Sequence, residues 1–104
     1  MQGSEPDKPA GDACLQLPAD LGIESAVNLR DQLLSHVYDP RPLSVDGSQI
    51  ARLHTAALQL LLMFWNERRR GGLSTAWRAP NQMLVEAAAM LGLEQSLQLK
   101  GAVA

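Results

Sequence analysis

The stretch LSVDGSQIARLHTAALQLLLMFW, Leu43 to Trp65, decides how the rest of the chain is read. Leu43-Ser44-Val45 suits a short buried strand, and Asp46-Gly47 closes it with turn residues. Ser48 to Leu53 reads as a loop or a single turn. Thr55 then opens a helix in which Leu58 to Trp65 is apolar at every position except Gln59. A buried strand running into a long apolar helix is half of a strand–helix–strand unit. Asp46, Ser48, His54 and Thr55 crowd the junction. They raise three readings: a catalytic cluster, a phosphorylation switch, or a turn followed by a helix cap.

Working outward, the same alternation recurs on both sides. Ala13 to Leu17 reads as a strand with Leu15 and Leu17 on one face, and Pro18 ends it. Gly22 to Tyr38 reads as a helix whose stripe is Ile23, Ala26, Leu29, Leu33 and Val37. Arg30 interrupts that stripe, with a stem long enough to lie along apolar surface. Asp39-Pro40-Arg41-Pro42 breaks the helix. On the far side, Glu67-Arg68-Arg69-Arg70 closes the central helix, with Gly71 as its C′ residue. Three arginines in a last turn complement the helix dipole. Leu73 to Trp77 reads as a strand, and Pro80 suits the first turn of a third helix lined by Leu84, Ala87, Ala88 and Leu91. Gly92 and Leu93 fit a Schellman cap, and Leu97 and Leu99 suggest a last short strand. The expectation is an α/β fold. A small mixed, mostly parallel sheet of four to five strands carries about three helices, mainly on one face.

Bulk properties narrow the function. The 104 residues fit one domain, expected over 13–104, behind a polar tail at residues 1–12 that reads as mobile. The single Cys14 forms no internal bridge and is most simply a core residue. One cysteine and two histidines argue against structural zinc, and no metal or cofactor is expected. A net charge of −2 is the wrong sign for a nucleic-acid binder. No apolar run approaches the roughly 20 residues that span a bilayer. The amino terminus lacks the apolar core of a secretion signal, so the chain is expected in the cytoplasm, without membrane insertion.

Catalysis finds little support. There is no Gly-x-Ser-x-Gly elbow around Ser48 and no carboxylate placed to orient His54. In the plain reading, Asp46 and Ser48 satisfy backbone groups in the turn, Thr55 is the N-cap, and His54 is an exposed residue ahead of it. His36 sits near the end of its own helix, where positive charge is tolerated. The central helix asks for more. Leu58, Leu61, Leu62 and Trp65 fill one side, while Leu60, Met63 and Phe64 fall partly or wholly on the other. We read that surplus as a face for a partner.

From about Ala13 to Leu99 the chain resembles the STAS domain, named for sulfate transporters and anti-sigma-factor antagonists. The resemblance rests on Val45-Asp46-Gly47-Ser48, on Ile50 and Leu53, and on His54-Thr55-Ala56-Ala57-Leu58 opening an apolar helix. Gly71-Gly72, the strand with Trp77, and Met90-Leu91-Gly92-Leu93 continue it. It implies a non-catalytic binding switch, whose family often has one more strand at its start. The family pattern at the helix start is acidic, Ser or Thr, small, glycine. It places the phosphoacceptor at Thr55, with His54 in the acidic position and Ala57 in the glycine position. The resemblance further implies a partner-binding surface made of Asp46, Ser48, His54, Thr55, Ala56, Ala57, Gln59 and Leu60. The partner would be an anti-sigma factor or serine-kinase-like protein. Alternatively, the chain would be the STAS subunit of a bacterial lipid-transport ABC ATPase or of a chemotaxis-type system.

Overall fold

The structure is a computed structural model describing residues 13–99. The reading of residues 1–12 as a tail therefore lies outside the described residues. Eight elements follow in order: β1 (Ala13–Gln16), β2 (Asp20–Leu21), α1 (Ala26–Leu34), β3 (Leu43–Asp46), β4 (Arg52–Leu53), α2 (Thr55–Arg70), β5 (Thr75–Trp77) and α3 (Gln82–Met90). A 3-10 turn, Ile23–Ser25, leads into α1.

The five strands form two sheets rather than one. The main sheet has the order β1-β3-β5, and a second sheet pairs β2 with β4. Every pairing among the described strands is parallel, with Leu15 opposite Val45 and Val45 opposite Trp77. The order advances in one direction, so right-handed crossovers place α1 and α2 on the same face. Leu15, Leu43 and Val45 are buried beneath them. Alternation turns the residues between them to the open face. Cys14 is consequently exposed rather than a core residue, with Arg78 Nη1 at 3.7 Å from its Sγ.

Three helix readings change. The first helix is regular only over Ala26–Leu34. Ile23, the first residue of its expected stripe, is 62 % exposed, while Leu29, Leu33 and Val37 are buried. The central helix ends in a left-handed residue as expected, but that residue is Gly72 (φ +73°), with Gly71 at φ −83°. Leu73 N then reaches back to Arg68 O at 2.9 Å, as a Schellman closure requires. The third helix ends as anticipated at Gly92, with Leu93 N donating to Ala88 O at 2.8 Å. Leu91 lies past its last turn and is exposed, so only Leu84 and Ala88 face inward fully.

Leu97 and Leu99 are buried but form no strand. Leu97 N donates to Leu93 O and Leu99 N to Glu94 O, so the segment satisfies itself locally and finds no neighbouring strand. Trp77 Nε1 holds it by donating to Leu97 O at 2.8 Å, and Trp65 Nε1 by donating to Gln98 Oε1 at 3.2 Å. The two indoles stack at 4.5 Å.

The apolar surplus of α2 goes mostly into the fold itself. Leu58, Leu61 and Trp65 are buried, and so is Phe64, beside α1. Only Met63 is strongly exposed, with Leu60 half-buried. Arg68 is no ornament of the helix dipole either. It is fully buried and donates to Thr75 Oγ1 and to the carbonyls of His36, Asp39, Arg41 and Ser74.

Candidate functional site

The small sheet sets the start of α2. Leaving β4, His54 N donates to Leu21 O of β2 at 2.9 Å, and the chain turns with His54 still extended (φ −100°, ψ 152°). His54 Nδ1 then accepts from the Ala56 amide at 3.0 Å, and His54 O accepts from the Ala57 amide at 2.9 Å. His54, not Thr55, is the N-cap. An imidazole nitrogen accepts only when it carries no proton, so the neutral ring holds its proton on Nε2. Thr55 becomes the first helical residue and is exposed. Capping falls to His54 because the paired strands deliver that residue, in extended conformation, to the helix mouth.

The turn before β4 is held independently. Ser48 N donates to Asp46 Oδ1 at 2.8 Å, an Asx turn. The Ser48 hydroxyl, and after it the Ser48 amide, hold the Asp46 carboxyl below the ordinary carboxylate range. Gly47 is required by close approach. A Cβ there would stand 3.2 Å from Trp77 Cζ3 and 3.4 Å from Ile50 Cδ1. Asn81 joins this turn to α3, its Nδ2 donating to Ile50 O at 2.7 Å while its Oδ1 accepts from Leu84 N at 2.9 Å.

A cleft of about 360 Å³ opens at the start of α2, lined by Gly22, Ile23, the run from Ala51 to His54, and Met83. Its walls are largely apolar, and Ile23 and Met83 are exposed. Arg52 lies 3.7 Å from Asp20, and both side chains are more than half exposed, so that pair stabilises the fold little.

The anticipated residues are only partly brought together. His54 lines the cleft, and Thr55 and Gln59 are exposed beside it along the first turns of α2. Ala56 is half-buried. Ala57 is 1 % exposed, so its methyl belongs to the core and is not presented outward. Leu60 lies instead in a second groove, between α1 and α2. Asp46 and Ser48 bond to each other and do not line the cleft. They form no relay with His54, whose Nδ1 is committed to a backbone amide. Among the described residues, no group of three or more His, Cys, Asp or Glu side chains could hold a metal ion. Sequence reasoning missed Ile23, Arg52 and Met83. Arg52 reaches the cleft on β4 and Ile23 on the 3-10 turn just after β2, and the two-residue pairing of those strands is too short to leave a periodic signal.

Comparison with known proteins agrees with this architecture. The family model described as Mlab, STAS domain matches residues 5–100. No curated protein matches the chain. Parallel strands crossing over through helices on one face, an exposed hydroxyl at the mouth of the central helix, and a match over nearly the whole length lead to one conclusion: the chain belongs to the STAS domain family.

Proposed function

We propose that this domain is an anti-sigma-factor-antagonist-like binding module. It docks a protein partner at the start of α2, and the Thr55 hydroxyl controls access. STAS domains in general mediate protein–protein contacts and are non-catalytic. The observation that carries the reading is the exposure of Thr55 on the first turn of α2, beside the apolar cleft of Ile23, His54 and Met83.

The physics of such a switch follows from position. Phosphate on Thr55 adds roughly −1.5 to −2 charges. At a helix N-terminus that charge is favoured by the dipole, so the domain stays folded. A partner lying on the same turn meets an uncompensated charge and leaves. Folding and docking thus respond oppositely to one modification.

Tagged wild-type protein is expected to retain its partner through purification, while Thr55→Glu loses it with an unchanged melting temperature. Cys14→Ser, on the open sheet face, retains it. Equal phosphate incorporation into wild type and Thr55→Ala by the copurifying kinase would remove Thr55 from the phosphorylation reading.

A second reading is favoured by His54. The family pattern has an acidic residue there, and this chain uses an imidazole bound to the Ala56 amide. That departure supports a permanent STAS subunit of a lipid-transport ABC ATPase or a chemotaxis-type assembly, without phosphorylation. A stable ATPase complex containing only unmodified Thr55 by intact-mass measurement would select it.

A further inference from the structure

The cleft at the start of α2 has a polar lining of one sense. Arg52 carries charge there, and none of the lining residues is acidic. The Arg52 side chain is 72 % exposed and donates no hydrogen bond among the described residues. Asp20 approaches its Nε at 3.7 Å, beyond hydrogen-bond reach, and does not line the cleft. Asp20 Oδ1 already accepts from the Gly22 amide at 2.9 Å. The two terminal amines of Arg52 are left to donate.

Gly22 leaves room for that fork. A Cβ there would stand 3.1 Å from Arg52 Nη2 and 3.4 Å from its Cζ, so the guanidinium lies close over bare backbone. Gly22 has φ −75° and ψ 179°, which any residue adopts, so glycine supplies space here and not a special conformation. His54 adds a second donor. Its Nδ1 is spent on the Ala56 amide, which leaves Nε2–H. Ile23, Leu53 and Met83 give the same cleft its apolar surface. A planar fork with open amines matches a carboxylate in bidentate fashion. A basic partner group would find no carboxylate among the lining residues.

We propose that the partner enters this cleft with an acidic residue next to a large apolar one. The carboxylate binds Arg52, with His54 Nε2 as a second donor, and the apolar side chain packs on Ile23, Leu53 and Met83. The inference rests on the docking reading and names the chemistry of its partner. It also gives the Thr55 switch a sign. A carboxylate held at Arg52 and a phosphate on Thr55 carry like charge, so modification repels the partner's anchoring group.

A phage-displayed random dodecapeptide library, panned against the full chain, tests it. Selected peptides are expected to carry Asp or Glu beside Leu, Ile, Phe or Met, and to shift the amide resonances of Ile23, Leu53 and Met83. By fluorescence anisotropy, Arg52→Gln weakens the best peptide about tenfold or more, and Arg52→Glu weakens it further. Arg30→Glu changes net charge as Arg52→Glu does, away from the cleft, and leaves binding intact. A peptide with its acidic residue replaced by Lys prefers Arg52→Glu to the wild type. Peptides that shift the cleft amides without an acidic residue overturn this partner chemistry and leave docking at the cleft standing. Selected peptides that shift only other surfaces overturn both. Unchanged affinity in Arg52→Gln and Arg52→Glu, with unchanged far-UV circular dichroism, removes Arg52 and overturns the proposal. Self-association of the chain that Arg52→Glu abolishes would put a second copy in the cleft and overturn it as well.

Discussion

Arg68 is the residue on which the end of the central helix depends. Its five donated hydrogen bonds reach 2.7–3.1 Å and tie α2 to the turn after α1 and to the entry of β5. Desolvation lowers its pKa, with Asp39 acting in the opposite sense, yet a guanidinium remains charged at any working pH. Its partners are neutral carbonyls and a hydroxyl, so the planar fork, not charge pairing, makes the site. Arg68→Ala strands several buried acceptors, each worth about 1–3 kcal/mol. The urea midpoint is expected to fall by the equivalent of about 3 kcal/mol or more. Arg68→Lys keeps the charge but offers fewer donors in a different geometry, and should recover only part of that loss. Little of this was legible beforehand. Three consecutive arginines look alike in sequence, and only the phase of α2 turns Arg68 inward while Arg69 and Arg70 stay exposed.

Among the elements, α3 is the one whose start is coupled to the site. Asn81 caps it and also holds the carbonyl of Ile50, in the loop that leads to β4 and His54. Asn81→Ala removes both bonds and should cost about 2 kcal/mol by thermal unfolding, from a cap of ~1 and a buried hydrogen bond of ~1. Asn81→Asp keeps the cap acceptor and loses the donor, so it should fall between wild type and alanine. Helix existence was readable from spacing in all three helices. What went unread was the capping residue of α2, because the rule favours Thr55 and the β2–β4 pairing instead delivers His54. The segment Leu93–Leu99 failed in the same manner. Alternating burial mimics a strand, but here a compact turn closed by Gln98 in the left-handed region (φ 59°) produces it.

For the whole molecule, the acid limit of stability follows from two carboxylates. Hydrogen bonds from the Arg41 side chain, then from its amide, hold Asp39 far below the ordinary carboxylate range. Ser48 lowers Asp46 less. Both groups are depressed in the fold relative to the unfolded value of about 4. Their contribution is therefore complete above about pH 4 and is lost as pH falls through the depressed values. The melting temperature should be flat near neutrality and decline below that point. Asp39→Asn should lower the plateau slightly and flatten the acid limb.

Among the described residues, no helix is long and apolar enough to cross a membrane. The alternation of strand and helix, the mostly parallel sheet and the start of the central helix at Thr55 were written in local pattern. Periodicity and turn chemistry act between near neighbours in the chain, and near neighbours can be read in order. The division of five strands into two sheets, the burial of Arg68 and Phe64, the cap at His54 and the cleft walls of Ile23 and Met83 were decided only in three dimensions. Each depends on which distant segments come to lie side by side, and spacing along the chain carries no record of that.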